Sequence, residues 1–207
     1  MKTALQIILA IIIVVLGYLI YDSIMEPILF NRDRDIRTKA AIVKLKDIRE
    51  LQVAYRDVYG EYSNSFDTLI GFFKNDSFTI DRLIPVVPYN TDEITEKEAI
   101  KKGYIKVEKI RIAVKDSVLS RDYPVDEIRI IPFTDNKEFA LGAGEVSTAS
   151  GVIVKVFEAY AYYEDLLKGL DEQLIINYTE EREKITKFRG LKVGSLTEAT
   201  NNAGNWE

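Results

Sequence analysis

An almost uninterrupted run of apolar residues stands near the N-terminus. From Ala4 to Tyr21 the chain reads ALQIILAIIIVVLGYLIY, with Gln6 as the single amide and no charge. About 18–20 apolar residues in a helix cross the roughly 30 Å hydrocarbon core of a bilayer. A helix in a soluble core would show a polar face, and none occurs between Ile7 and Ile20. The pattern predicts a single transmembrane helix, with the polar remainder of the chain in water.

A second helical pattern runs from about Arg32 to Tyr59. Its apolar positions recur at steps of three and four residues, which puts one stripe on a helix of period 3.6: Ala41, Leu45, Ile48, Leu51, Tyr55 and Val58. Gly60 supplies the C-terminal stop. Glu26-Pro27 predicts an interruption or kink before this helix, because proline lacks a donor and clashes with the preceding turn.

Short helices and strand patterns alternate through the rest of the chain. Helices are predicted at Phe66–Lys74, at Thr95–Lys102 and, loosened around Gly169, at Tyr163–Lys187. Strand patterns cover Tyr104–Val114, with a phase change near Lys109 that indicates a bulge, and Val152–Ala161. A hairpin is predicted where Glu127–Phe133 and Phe139–Leu141 flank the turn Thr134–Lys137.

Two segments carry weaker patterns. Ser77 to Tyr89 is extended or irregular, and Pro85 and Pro88 exclude a central strand there. The chain from Arg189 onward is predicted to be loop. Together the elements predict an α+β fold, in which the amphipathic helix packs on a small antiparallel sheet and a C-terminal helix follows. We expect a transmembrane signal anchor over 1–25, a soluble domain over 26–200 and a polar tail over 201–207.

Composition narrows the chemistry. The 207 residues include no cysteine and no histidine, so thiol nucleophiles, histidine bases and His or Cys metal ligands are excluded. The net charge of −5, without a basic cluster, argues against a nucleic-acid partner. No catalytic residue, no cofactor site and no metal site is predicted, and we expect the protein not to be an enzyme.

Several polar groupings were weighed as sites, and ordinary structural roles are favoured for each. They are the charges Arg32, Asp33, Arg34 and Asp35 (lipid or subunit contact), the glycines of Gly142–Ser147 (phosphate loop), the serines Ser147, Ser150 and Ser195, the acid pairs Glu164/Asp165, Asp171/Glu172 and Glu180/Glu181, and the turn residues Asp135, Asn136 and Glu138 (calcium). We expect a loop or hairpin exit at Gly142–Ser147.

The densest aromatic group is Phe157, Tyr160, Tyr162 and Tyr163. Alternation puts Tyr160 and Tyr162 on one sheet face if the strand extends that far. Core packing is the favoured role, and an exposed interaction surface is the alternative. The apolar span has no GxxxG motif, only Gly17, so an oligomer would depend on the soluble domain.

The order of elements resembles the type IV pilin and type II secretion pseudopilin family. The match lies in Ala40–Leu69, AAIVKLKDIRELQVAYRDVYGEYSNSFDTL, where Tyr59–Tyr62 stands at the family's glycine-containing turn and Ser65–Leu69 at the segment that follows. The resemblance covers about 65 N-terminal residues. Met1–Gln6 lacks the glycine and early glutamate of the family's prepilin-peptidase site.

The resemblance and the span together imply a function. We expect a non-enzymatic, membrane-anchored structural or assembly component of a bacterial cell-envelope machine, uncleaved and single-pass in the inner membrane. A plain count of cations after the span, Arg32, Arg34, Arg37 and Lys39, favours a cytoplasmic domain. The two-residue flank before the span is typical of an export anchor, and large domains are translocated largely regardless of charge, so we expect the soluble domain outside the cytoplasm. Its partners would be the lipid bilayer and envelope proteins or further copies of the chain. A membrane-tethered ligand-binding or sensory domain is the alternative, and a carboxylate-based hydrolase is a third hypothesis.

Overall fold

One helix dominates the architecture. The structure, a computed structural model, describes residues 2–87, 94–120 and 122–207. Helix α1 (Lys2–Tyr59) runs for 58 residues, or about 87 Å at 1.5 Å per residue. Every side chain from Gln6 to Ile24 is exposed. By length and composition this part of α1 is able to cross a membrane, as the apolar pattern predicted.

Of the interruption or kink predicted at Glu26-Pro27, the interruption is wrong, because α1 continues through Pro27. Proline removes one backbone hydrogen bond, but it does not remove the bonds of the turns on either side. Those turns belong to a long apolar segment before Pro27 and to a helix anchored by core packing after it. The span and the domain are therefore joined by regular helix and not by a loop.

The second half of α1 enters the core of the domain. Its stripe is fully buried at four positions: Ala41, Leu45, Ile48 and Leu51. Tyr55 is half-buried, and Val58 is 39% exposed. The expectation that Val58 belongs to the buried stripe is therefore wrong. The last turn of α1 reaches the core through Tyr59, whose ring centroid lies 6.0 Å from that of Phe72, whereas Val58 is not among the residues of the core cluster.

A buried amide ties the end of α1 to the chain that follows it. Gln52 is fully buried, and its Nε2 donates to the carbonyl of Ser63 at 2.7 Å. The backbone N–H of Ser63 donates in return to Gln52 Oε1 at 2.9 Å. Both ends of the amide are thus paired, which offsets the cost of burying it.

A helix and a two-stranded ribbon follow. Helix α2 (Phe66–Asn75) buries its apolar side, and strand β1 (Ser77–Pro85) pairs antiparallel with β2 (Ile105–Ala113). Between the strands lies α3 (Glu96–Lys101), where the backbone N–H of Thr95 donates to Glu98 Oε2 at 3.4 Å in the predicted capping box. Both strands are edge strands, which is where Pro85 is tolerated because it has no N–H to donate to a neighbouring strand. Pro88 and Tyr89 lie outside the described residues.

The bulge predicted near Lys109 is absent. The register of β1 and β2 is continuous, with Asp81 opposite Lys109 and Ile80 opposite Ile110. The phase change has another cause, since the two ends of the ribbon place apolar residues on opposite faces. Near its base Ile80 and Ile110 share one face, whereas Leu83 and Val107 share the other face further out.

The main sheet has three antiparallel strands in the order β3-β4-β5: β3 (Ala140–Ser147), β4 (Ile153–Tyr162) and β5 (Gly190–Gly194). Two sequence predictions are corrected here. Gly142–Ser147 is strand and not loop, and the chain after Arg189 forms β5. The predicted hairpin is confirmed only next to its turn, where the backbone N–H of Phe139 donates to the carbonyl of Arg129 and that of Ile131 to the carbonyl of Lys137, both at 2.8 Å. Ala140 and Leu141 pair with β4 instead.

Two helices connect β4 to β5. Helix α4 (Tyr163–Leu166) and helix α5 (Glu172–Thr186) are separated at Gly169, whose φ of 89° is in the left-handed region. The predicted loosening at this glycine is confirmed. The core cluster combines α1, α2, α4 and the inner face of the sheet, so the domain is α+β with a single core.

We expect the buried stripe of α1 to decide the stability of the domain. Ile48→Ala should lower the free energy of unfolding by about 2–5 kcal/mol, because it leaves a cavity in the core. Val43 is 58% exposed on the same helix, and Val43→Ala should change the free energy by no more than about 0.5 kcal/mol. Urea unfolding of the full chain in detergent measures both. Equal effects would contradict the burial of the stripe.

Candidate functional site

An exposed aromatic group lies on the outer face of the three-stranded sheet. Tyr160 and Tyr162 project from β4, and Phe188 stands just before β5. We call these three residues the aromatic cluster. Tyr162 opposes Gly190 and Tyr160 opposes Lys192 in the pairing of β4 with β5. The turn after α5 brings Phe188 beside both tyrosines.

The rings of the aromatic cluster contact one another closely. The centroids of Tyr162 and Phe188 are 5.5 Å apart in a stacked arrangement. Tyr160 meets Tyr162 at 5.3 Å and Phe188 at 5.4 Å, both edge-on. Tyr162 is nevertheless 43% exposed. The three rings therefore form one apolar surface with two phenol groups at its margin, a composition typical of protein–protein contact.

The other members of the predicted aromatic group are buried: Phe157 on the inner face of β4, and Tyr163 at the start of α4. Phe157 is fully buried and Tyr163 almost so. Phe157 packs on Tyr62 at 4.9 Å, and Tyr163 packs on Tyr178 at 4.9 Å. Core packing is thus confirmed for these two residues, whereas Tyr160 and Tyr162 share the opposite face, as the alternation indicated.

An ion pair borders the aromatic cluster. Lys192 Nζ lies 3.5 Å from Glu158 Oε2 and 5.2 Å from the centroid of Phe188, over its ring. Partial burial and a hydrogen bond with Tyr162 raise the pKa of Tyr160. The Tyr160 phenol is therefore neutral at physiological pH, and the surface combines apolar rings with one compensated pair of charges.

Two other phenols are held inside the domain. Burial, with a hydrogen bond from Tyr123 to Asp47 Oδ2 at 2.7 Å, raises the pKa of Tyr123 well above its ordinary range. Burial also raises the pKa of Tyr163, and its neighbour Tyr178 adds to the effect. These phenols are structural groups, because ionisation in these surroundings would leave a poorly solvated anion.

The charged groups considered at the sequence level form local pairs. Arg32 pairs with Asp33 at 2.9 Å and Arg34 with Asp35 at 2.7 Å. The remaining interactions are Asp165 with Lys137 at 3.0 Å, Glu164 with Arg189 at 3.3 Å, Asp135 with Lys168 at 3.7 Å, Glu138 with Arg129 at 3.4 Å, and Asp171 capping α5 through the N–H of Leu174 at 2.8 Å. Within the described residues no group of three or more acidic side chains could hold a metal ion.

The serines considered as nucleophiles also have local roles. Ser150 Oγ lies 3.0 Å from Thr148 Oγ1, and Ser195 Oγ lies 3.1 Å from Thr197 Oγ1. Ser147 opposes Ile153 in the pairing of β3 with β4. Because no base stands beside any of the three hydroxyls among these contacts, nothing in them activates a nucleophile.

An open groove of about 560 Å³ lies between α1 and the C-terminal segment, with Arg49, Arg56 and Asn202 among its lining residues. Arg49 pairs with Glu207 at 2.7 Å, and Arg56 pairs with Asp57 at 2.8 Å. Both cations are therefore compensated, and the groove presents no net charge with which to attract an ionic ligand.

Sequence patterns do not identify the roles of two residues, Phe188 in the aromatic cluster and Arg37 in holding the end of α4 against α1. Phe188 stands alone between polar residues, so neither periodicity nor composition marks it. Arg37 donates from Nη1 to the carbonyls of Lys168 at 2.9 Å and Leu166 at 3.3 Å. A contact across more than 120 residues has no local signal in the sequence.

Comparison with known proteins gives no match: no family model, no curated protein and no solved structure matches this chain.

The buried phenols predict instability at alkaline pH. Their folded-state pKa values lie above the ordinary value of about 10, so the stability linked to the neutral phenols is complete below pH 10 and is lost as the pH rises through the folded-state pKa. Tyr123→Phe and Tyr163→Phe should each flatten the fall in unfolding free energy between about pH 10 and 12, because the phenol ionises in the unfolded chain before it does so in the folded one. Urea titrations across this range measure the slope, and identical slopes in the wild type and both variants would contradict the assignment.

Proposed function

We propose that the protein is a non-enzymatic, membrane-anchored structural or assembly component of a bacterial cell-envelope machine, with a pilin-like order of elements. In this proposal α1 crosses the inner membrane once, and the α+β domain lies outside the cytoplasm. The domain presents the aromatic cluster to a neighbouring envelope protein or to a second copy of the chain.

The observation that carries the proposal is the continuity of α1. The same helix holds the exposed apolar segment and the buried residues from Ala41 to Leu51. Regular helix without an intervening loop fixes the height and the rotation of the domain relative to the span. A rigid helical connection of this kind suits a protein that must present one surface to neighbours in the same membrane.

The charges that follow the span are compatible with export of the domain. Arg32 and Arg34 are the first cations after the apolar segment, and each pairs with the adjacent aspartate. Arg37 is engaged with carbonyl groups of the domain. Large domains that follow a span are translocated largely regardless of such charges.

The aromatic cluster supports a protein partner. Aromatic residues are enriched at protein interfaces, because they offer a large apolar area at a small cost in side-chain entropy. The cations at these two surfaces are already paired, Lys192 with Glu158 and Arg49 with Glu207, which disfavours a small anionic ligand there.

Site-specific photocrosslinking in intact cells tests this proposal. A benzophenone amino acid at position 162 should capture an envelope protein or a second copy of the chain, because Tyr162 is the exposed edge of the aromatic cluster. The matched control is position 153, which is 66% exposed at the other end of the same strand and should give little product. The captured species is identified by mass spectrometry.

The outcomes separate the candidate functions. Capture of envelope subunits or of the same chain at position 162, and not at 153, agrees with the assembly role. If both positions give only the uncaptured monomer, the assembly role is wrong and the tethered ligand-binding domain is favoured instead. Tyr162→Ala, in the chain without the photoreactive residue, should reduce chemical crosslinking to the same captured species without lowering the melting temperature, which separates a lost contact from a lost fold.

A further inference from the structure

The fold covers one edge of the main sheet and leaves the other open. At the outer edge of β5, the N–H of Gly194 donates to the carbonyl of Ala203 in the C-terminal segment at 3.0 Å. The N–H of Asn205 donates to the carbonyl of Lys192, also at 3.0 Å. Strand β3 has β4 on one side only. Alternate residues of an antiparallel strand direct their N–H and C=O groups away from the partner, and no backbone hydrogen bond within the described residues reaches these outer groups of β3.

The open edge of β3 lacks the usual protection against strand pairing. Natural edge strands are commonly protected by lysine, proline or a bulge. The sequence of β3, ALGAGEVS, contains neither residue type, and its register with β4 is continuous. Gly144, Glu145 and Ser147 are exposed. A groove of about 340 Å³ borders this half of the strand, with Tyr55 and Glu61 among its other lining residues. Residues 143–147 therefore have both the free backbone groups and the space to accept a further strand.

The ribbon of β1 and β2 has two free edges of its own. It consists of only these two strands, and a two-stranded ribbon is marginally stable in water by itself. Among the described residues of the two strands, Phe78 alone packs against the core cluster. Ile80 is 38% exposed and Leu83 is 39% exposed. The ribbon would therefore gain both hydrogen bonds and packing from a further strand.

The charges at the two edges are complementary. Strand β2 carries three cations and one acid. Its Arg111 is exposed, stands opposite Thr79 and makes no ion pair with another described residue. The groove beside β3 contains two carboxylates, those of Glu61 and Glu145, and one cation, Lys155. Because opposite charges on neighbouring strands stabilise their pairing, this edge favours a cationic strand such as β2.

Both edges lie at the same level along α1. Tyr59 Oη donates to Asp76 Oδ2 at 2.7 Å, and Asp76 directly precedes β1 at the end of the ribbon that holds Arg111. Tyr55, one turn earlier on α1, lines the groove beside Glu145. When the α1 helices of two copies cross one membrane in parallel, the ribbon of one copy is at about the same height as the β3 edge of the other.

We propose that β2 of one copy adds to the edge of β3 in a second copy, at residues 143–147, with Arg111 beside Glu61 and Glu145. Backbone hydrogen bonds supply the affinity of such strand addition, and the side chains supply its specificity. The contact is heterologous, because each copy offers its ribbon to one neighbour and its β3 edge to another, so repetition gives a row or a ring of copies. The proposal rests on the anchoring of α1 in the proposed function, and it does not involve the aromatic cluster.

Disulfide trapping between two tagged chains tests the contact. The chain has no cysteine. A full-length chain with Ser147→Cys is co-expressed with a differently tagged full-length chain that has one cysteine in β2, and the isolated membranes are oxidised with copper phenanthroline. With the proposed pairing, position 147 faces position 109 if the strands are antiparallel and position 113 if they are parallel, so Lys109→Cys and Ala113→Cys are both used. The matched control is Ile185→Cys, which is 65% exposed on α5.

One of the two β2 cysteines should give several-fold more mixed dimer than the control gives, and the position that does so identifies the strand direction. Mixed dimer at the control level from both positions would overturn the strand contact. Extraction of the same membranes with sodium carbonate tests the anchoring separately. A chain that stays in the membrane without trapping leaves the anchoring intact, whereas a chain that carbonate extracts would overturn the anchoring and this proposal together.

Charge reversal separates a specific contact from random collision. Arg111→Glu, added to the chain with the trapping β2 cysteine, should lower the yield of mixed dimer several-fold, because it places a third carboxylate beside Glu61 and Glu145. Lys106→Glu makes the same change in charge at the other end of β2 and should leave the yield nearly unchanged. Equal yields from the two variants would overturn the placement of Arg111. Because Arg111 and Lys106 are both exposed, an unchanged melting temperature should show that each variant is folded.

Discussion

The structure depends on the packing of one long helix into the domain that follows it. Four fully buried side chains of α1, from Ala41 to Leu51, meet the sheet and the shorter helices in a single core. Each such burial contributes about 1.5–3 kcal/mol for a large aliphatic side chain. Because the same helix continues N-terminally as an exposed apolar segment, this packing also determines how the domain is oriented relative to a membrane.

Large features of the fold were predictable because they repeat over many residues. The apolar run, the stripe on α1, the helix from Phe66 and the capping box at Thr95 each rest on a pattern within one element. The predictions that proved wrong share a different cause, which is pairing between distant parts of the chain. Strand β3 contains Gly142 and Gly144, which lack β propensity, and forms because β4 pairs with it and Leu196 packs over the glycines.

The candidate site was predictable only in part, for the same reason. Alternation along β4 separated Tyr160 and Tyr162 from the core, but Phe188 reaches them across the sheet from a turn. The hydrogen bonds between Gln52 and Ser63 and between Arg37 and Lys168 are likewise tertiary contacts. The fold brings these polar residues together, and they follow no periodic pattern along the sequence that would predict the contact.

We propose that the span and the domain form one rigid helical unit. Double electron–electron resonance between spin labels at Val14→Cys and Val43→Cys, in the full chain reconstituted in nanodiscs, measures this rigidity. Both side chains are exposed on α1, and 29 residues of continuous helix separate them by about 44 Å. We expect a narrow distance distribution near that value. A broad distribution, or a distinctly shorter mean distance, would show a hinge near Pro27 and would contradict a rigid connection between span and domain.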